Sequence, residues 1–200
     1  TQISARQVRD RLFLPAASDA LPRALAYLAA LEQAGRYQLM VWPVHCEIGS
    51  WGQNIHAEVR AAYNDWEEAN LRVVAKLSKG SNPWTEHYSA VMAEVPDAQD
   101  ATTQLNRAFL DTLLPAQQIY IGGEAGSHCV KASTEHIADY LQAQQGPQAL
   151  ARLVMLTDCM SPVTGFEAQQ RDFLAAMHAR GVRLATAAEV LPEWLANADA

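Results

Sequence analysis

Residues 118–130 read QIYIGGEAGSHCV, and this stretch is the most informative part of the chain. A short apolar run passes into a turn that contains three glycines, and a helix-like segment follows. Cys129 lies at the start of that segment, where a helix leaves backbone N–H groups unpaired and carries a partial positive charge. Both features favour the ionised sulfur, which is the nucleophilic form of a thiol. Cys129 is therefore a candidate for covalent catalysis, and a small buried core cysteine is the alternative.

The composition is typical of a globular protein. The chain has 200 residues, of which 50% are hydrophobic, and its formal net charge is −7. These values predict a single domain over residues 1–200, with no nucleic-acid partner and no membrane partner. No apolar run in the sequence reaches the length of a transmembrane helix. The three cysteines form no CxxC pair, which predicts a reduced, cytoplasmic protein.

Short apolar runs alternate with amphipathic stretches along the chain. Near-continuous apolar strands separated by helices indicate a mainly parallel sheet that is covered on both faces. The prediction is an α/β fold with three α/β/α layers. The predicted strands are residues 38–42, 71–77, 117–121, 152–157 and 182–186. The predicted helices are residues 19–34, 55–69, 127–144, 165–180 and 187–195, with Ser127 and Thr164 as N-caps and Gly35, Gly146 and Gly181 near helix ends.

Three segments follow predicted strands, and the carboxyl ends of parallel strands are where sites form in such sheets. They are residues 42–46, residues 78–80 and the turn before Cys129. Most lysines are solvated at the surface, and this is one interpretation of Lys79. The other is that Lys79 lies beside the thiol, where it would favour the thiolate and could hold a developing oxyanion. His45 is, on local grounds, a metal ligand, a base or a hydrogen-bonded core residue.

The glycine turn has a second consequence. Because glycine lets the backbone come close to a ligand, N–H groups near Ala125 and Cys129 could form an oxyanion hole. The other histidines, His87 and His128 among them, show no metal-ligand spacing. The sequence contains neither CxxC nor HExxH, so spacing alone predicts no zinc site.

Taken together, these motifs resemble the isochorismatase-like cysteine hydrolases, and within them the nicotinamidases and nicotinamidase-related amidases. The resemblance covers roughly residues 39–191, and its pieces occur in the family's order. Residues 123–130 match the nucleophile turn, and residues 42–46 (WPVHC) match a nicotinamidase-type segment. Residues 78–80 with 88–90 match the lysine segment. Residues 153–158 and 177–191 match the closing strand–helix–strand.

The resemblance implies the isochorismatase-like hydrolase fold and an amidase mechanism. In this family a Cys–Asp–Lys triad cleaves a small carboxamide, such as nicotinamide, to an acid and ammonia through a covalent acyl-enzyme. Cys129 matches the nucleophile and Lys79 the triad lysine. Glu124–Ala125 matches the family's cis peptide, which aims N–H groups at the oxyanion. His45 matches one ligand of the family's divalent metal, often zinc, and the family commonly forms homo-oligomers.

Two parts of the family pattern are missing from the sequence. Residues 1–15 hold no apolar strand that ends in the triad aspartate, and no Asp-x-His motif supplies the remaining metal ligands. We therefore expect an N-terminally incomplete hydrolase domain with a partial metal site. The alternative is a non-catalytic homologue that binds a small molecule or has a regulatory role. A thiol-redox protein is a weaker alternative, because no resolving cysteine lies near Cys129 in the sequence.

Overall fold

The chain divides into two compact units, Thr1–Ser78 and Lys79–Ala200. The computed structural model describes residues 1–198, and the side chains of residues 1–196. Each unit has its own hydrophobic cluster and its own sheet. The assignment of one domain to residues 1–200 stays a prediction. In residues 1–198, no helix is long and apolar enough to cross a membrane.

The first unit is mainly helical. Its core is formed by Ala5 and Val8 from the first helix and by Leu28 from the second, with partly buried Leu39 against them. The two short strands pair antiparallel, with Gln2 opposite Met40. The elements are β1 (Gln2–Ile3), α1 (Ala5–Arg9), α2 (Leu21–Ala34), β2 (Leu39–Met40) and α3 (Ala57–Asn70).

Two predicted strands in this unit require correction. The run at residues 38–42 forms only the two paired residues of β2. The run at residues 71–77 forms no strand, and the side chains of Leu71 and Val73 are 92% and 83% exposed. The backbone N–H of Val74 instead donates to the Glu67 carboxylate at 2.8 Å. An apolar run becomes a strand only when a neighbouring strand offers backbone partners, and local sequence does not contain that information.

The second unit contains a parallel three-stranded sheet in the order β3-β4-β5. Ile119 pairs with Leu153, and Met155 pairs with Leu184. All four residues of β4 are buried, as the continuous apolar run at residues 152–157 predicted. The elements are α4 (Arg107–Leu113), β3 (Ile119–Ile121), α5 (Cys129–Gln145), β4 (Leu153–Leu156), α6 (Glu167–Ala179), β5 (Arg183–Ala185) and α7 (Ala187–Ala198).

Helices cover both faces of this sheet. Successive side chains of a strand point to opposite faces, so Leu153 and Met155 share one face and Val154 and Leu156 the other. The first pair packs in a cluster with residues of α4, α5 and α6, whereas the second pair packs with Val190 of α7. The predicted α/β fold with three layers is therefore confirmed in this unit. Burying one such side chain stabilises the fold by about 1.5–3 kcal/mol.

Glycines end two of the helices where the sequence predicted. Gly35 follows α2 with a φ of 67°, and Gly146 follows α5 with a φ of 84°. Both values lie in the region that side chains with a Cβ avoid. The prediction of Thr164 as an N-cap is wrong, because α6 begins at Glu167 and its cap residue is Phe166. The Glu167 carboxylate accepts the Gly165 N–H at 3.0 Å and takes part of the capping role.

Candidate active site

The turn between β3 and α5 is held by the segment that leaves the neighbouring strand β4. The backbone N–H of Gly123 donates to the Cys159 carbonyl at 2.7 Å, and that of Gly126 donates to the Ser161 carbonyl at 2.8 Å. Gly123 adopts a φ of 126°, which requires glycine. Parallel strands end at the same edge of a sheet, so the segments that follow β3 and β4 lie side by side. Their hydrogen bonds fix the position of the turn relative to the sheet.

Cys129 is the first residue of α5 and is half-buried. The preceding Glu124–Ala125 peptide bond is cis, as the family resemblance implied. The N–H groups of His128 and Val130 both donate to the Ala125 carbonyl, at 3.0 and 3.1 Å. Within residues 1–198, the N–H groups of Ala125 and Cys129 donate to no acceptor. These two groups are therefore available for an oxyanion, and their catalytic role stays a prediction.

Lys79 lies beside the thiol although 50 residues separate the two in sequence. Its Nζ is 3.5 Å from the Cys129 Sγ and donates to the His87 carbonyl at 2.7 Å. Within the second unit, Lys79 makes no ion pair with a carboxylate of the described residues. An ammonium at this distance from a sulfur favours the thiolate. The structure thus brings together two of the three predicted segments.

His87 is a residue of this site to which the sequence analysis gave no role. Its side chain is 7% exposed, and its Nδ1 accepts the backbone N–H of Gly80 at 3.3 Å. Burial and the nearby Lys79 ammonium lower the pKa of His87, against a smaller raising effect of Asp100. Both causes disfavour the charged ring. No local sequence pattern predicted that His87 belongs to this site, since only the fold shows that the ring is buried.

His128 and Ser127 are structural. The His128 ring is buried between Tyr88 and Phe166, with ring centroids 5.2 and 4.7 Å away, and burial followed by the Lys131 charge lowers its pKa. The prediction of Ser127 as the N-cap of α5 is wrong, because the cap residue is His128. The Ser127 hydroxyl instead pairs with the His128 Nδ1 at 2.8 Å and accepts the Val163 N–H at 2.9 Å.

Cys159 is not a rival nucleophile. Its thiol donates to the Asp158 carboxylate at 3.6 Å. Desolvation and the negative charge of Asp158 raise the pKa of Cys159, which disfavours its thiolate. The same carboxylate accepts the Ala187 N–H at 2.8 Å, at the first residue of α7. Both residues therefore act structurally.

The residues present do not fit a zinc centre. His45 lies in the first unit, where its Nδ1 donates to the Pro43 carbonyl at 2.7 Å and its ring lies 6.3 Å from that of Trp42. A protein zinc site takes three or four nitrogen, sulfur or oxygen ligands. The described part of the chain contains no group of three or more His, Cys, Asp or Glu residues that could hold a metal ion. We therefore derive no catalytic step through a metal.

Gly126 lies against the side chain of a close neighbour. A Cβ at this position would overlap the side-chain amide of Gln170 on α6. The Gln170 Oε1 is buried and accepts no hydrogen bond from residues 1–198. Because this amide is the far end of a flexible side chain and can move aside, we expect Gly126→Ala to lower the free energy of unfolding by about 1 kcal/mol, the low end of the cost of overpacking. Urea denaturation measures this loss.

A double-variant cycle identifies the cause of that loss. Gln170→Ala removes the overlapping amide, so Gly126→Ala in the Gln170→Ala background should cost much less than in the wild type. An equal cost in both backgrounds would show that Gln170 is not what excludes a side chain at residue 126.

Comparison with known proteins agrees with this fold. The chain matches no protein-family model and no curated protein. It is similar to the structure of the yeast nicotinamidase Pnc1p, with 19% sequence identity, a TM-score of 0.52, and coverage of 74% of this chain and 59% of that chain. For the same yeast enzyme bound to the inhibitor nicotinaldehyde, the identity is 18%, the TM-score 0.53, and the coverage 75% and 60%.

The chain thus spans less than two thirds of the length of these neighbours. At this level of identity, the similarity shows a shared fold. The predicted α/β fold is confirmed, and it is shared with these nicotinamidase structures.

Proposed function

We propose that this protein is a cysteine-dependent amidohydrolase that cleaves a small, nicotinamide-like carboxamide to the carboxylic acid and ammonia. One observation carries the proposal: the Cys129 thiol stands at the N-terminus of α5 with the Lys79 ammonium 3.5 Å away. A helix N-terminus and a cation both stabilise a thiolate. The shared fold with a nicotinamidase supports the substrate class.

The first step is attack of the thiolate on the amide carbonyl carbon. A C–S bond forms, and the carbonyl π electrons move to oxygen to give a tetrahedral oxyanion. The N–H groups of Ala125 and Cys129, which have no acceptor in the described part of the chain, would donate to this oxygen. Each such donor is worth about 10²- to 10³-fold in rate, because it is aimed at charge that develops only in the transition state.

The second step expels ammonia. The oxyanion collapses, the C–N bond breaks, and the leaving nitrogen takes a proton from the Lys79 ammonium, leaving a thioester and a neutral amine. Water then adds to the thioester and gives its proton back to Lys79. Collapse of the second oxyanion releases the acid and regenerates the thiolate. The sum is amide plus water to acid plus ammonia, with Lys79 returned to its starting state.

The test is a carboxamide assay on the full-length protein. Nicotinamide is supplied, and ammonia and free acid are measured together. Benzamide, which lacks the ring nitrogen, is the matched substrate. Ammonia and acid formed in equal amounts support the proposal. Absence of acid from both amides, with the protein shown to be folded, would refute it.

An aldehyde probe gives a second prediction about the same site. A thiolate adds reversibly to an aldehyde, so nicotinaldehyde should slow the alkylation of Cys129 by iodoacetamide. We expect about a tenfold slower rate at saturating aldehyde, since addition occupies the sulfur. Mass spectrometry of alkylated peptides follows the three cysteines separately.

The other cysteines are internal controls. Cys46 is exposed, and Cys159 has a raised pKa caused by desolvation and by Asp158. Neither should be protected. Equal protection of Cys46 would mean that the aldehyde merely consumes reagent, and an unprotected Cys129 would contradict binding at this sulfur.

A further inference from the structure

His87 contacts the lysine segment at two points. Its backbone carbonyl accepts a hydrogen bond from the Lys79 Nζ at 2.7 Å, which holds the tip of the side chain. Its ring Nδ1 accepts the backbone N–H of Gly80 at 3.3 Å, which holds the chain next to Lys79. One residue therefore holds both ends of the side chain that faces Cys129.

The Gly80 contact determines the ring's protonation state. A backbone N–H can only donate, so the Nδ1 must carry no proton, and in the neutral ring the proton resides on Nε2. The Nε2 is buried and has no hydrogen-bond partner in the described residues. A buried donor without an acceptor costs about 1–3 kcal/mol, so stability alone gives no reason for a histidine here.

The charges around the ring also favour its neutral form. Lys79 and Asp100 act on it electrostatically, and the Glu86 carboxylate accepts the His87 backbone N–H at 3.0 Å. Burial and Lys79 lower the pKa of His87, and Asp100 opposes them. Protonation would place a hydrogen on Nδ1, break the Gly80 contact and add a positive charge beside the Lys79 ammonium.

We propose that His87 is a positioning residue: its neutral imidazole, through Gly80, and its carbonyl, through Nζ, hold Lys79 against the Cys129 sulfur. The inference rests on the proposed function for its catalytic meaning, but not for its geometry. In this positioning role, His87 contacts neither the sulfur nor a substrate.

The test uses two variants of nearly equal shape. His87→Asn keeps an acceptor near the Nδ1 position, and His87→Leu removes it. We expect His87→Leu to lower kcat by about 100-fold with little change in KM, because a small misplacement of a catalytic group costs that much. His87→Asn should retain most of the activity. Equal kcat values for the wild type and His87→Leu would overturn the inference.

A pH profile provides a readout that a merely structural residue would not move. Asn does not titrate, and the pKa of His87 is lowered from 6.5 by burial and by Lys79, so the ratio of the wild-type rate to the His87→Asn rate should stay constant down to pH 6.5 and fall only at lower pH. Because it uses only the wild type and His87→Asn, this comparison also tests the positioning role if His87→Leu fails to fold. A ratio that stays constant down to the acid unfolding limit overturns the inference.

Alkylation of Cys129 by iodoacetamide separates the two proposals. If the wild type hydrolyses no carboxamide, but His87→Leu alkylates more slowly than His87→Asn, the proposed function fails and the positioning role stands. If the wild type is an active amidase and both variants match it in kcat and in alkylation, the positioning role alone fails.

Discussion

We expect Cys129→Ala to abolish the proposed ammonia release from a carboxamide, lowering kcat by about 10⁴-fold or more through loss of the covalent nucleophile. The reason is chemical: without the sulfur there is no acyl-enzyme, and water must attack the amide directly. Cys129 is half-buried at the first residue of α5, and loss of its small side chain should leave the fold intact. The measurement is the initial rate of ammonia release, with circular dichroism to confirm folding.

Cys129→Ser and Cys159→Ala complete this experiment. Serine preserves the shape of the side chain but ionises far less readily than a thiol, so its rate should also be very low. Cys159→Ala removes a thiol that donates to Asp158 and should leave kcat near the wild-type value. Substantial activity in Cys129→Ala would remove Cys129 from the mechanism, and the non-catalytic binding role would then gain support.

Lys79→Met is the second large effect that we expect. Methionine keeps much of the lysine's length and apolar volume but has no charge, so the stabilisation of the thiolate is lost. The Lys79 ammonium is the group that contacts the Cys129 sulfur, at 3.5 Å, so its loss should slow the alkylation of Cys129 by about tenfold. Amidase activity should fall further, because the leaving nitrogen also loses its proton donor.

A nearby lysine supplies the matched control. Lys76 is three residues earlier and pairs with Glu67 at 2.8 Å in the first unit. Lys76→Met makes the same chemical change and should leave the rate of alkylation of Cys129 unchanged. Lys79→Arg keeps the charge and should retain part of the alkylation rate. If Cys129 is alkylated equally fast in Lys79→Met and in the wild type, Lys79 does not belong to the site.

The sheet of the second unit was predictable because its strands are buried on both faces. The apolar runs at residues 117–121, 152–157 and 182–186 each contain an observed strand. The parallel order follows from the intervening helices, which are long enough to cross over the sheet. The apolar run at residues 71–77 has similar composition but forms no strand. Local composition therefore predicted strands correctly only where a neighbouring strand completes the hydrogen bonding.

The candidate site was predictable in part. The glycine turn and the position of Cys129 followed from local sequence, and Lys79 followed from the family resemblance. His87 did not, because its relevance depends on burial and on contacts with Lys79 and Gly80 that no local pattern encodes. Similarly, Ser127 has the composition of an N-cap, yet the fold uses its hydroxyl for His128 and Val163.

The sequence by itself determined the class of fold of the second unit and the place of Cys129 at a helix start, because periodicity, glycines and helix termini act over a few residues. Only the tertiary structure decided that Lys79 lies 3.5 Å from Cys129 and that the N–H groups of Ala125 and Cys129 have no acceptor in residues 1–198. It also decided that His87 is buried, with a lowered pKa. Distance, desolvation and hydrogen-bond pairing between segments are properties of the packed chain. They arise when segments far apart in sequence exclude water from one another.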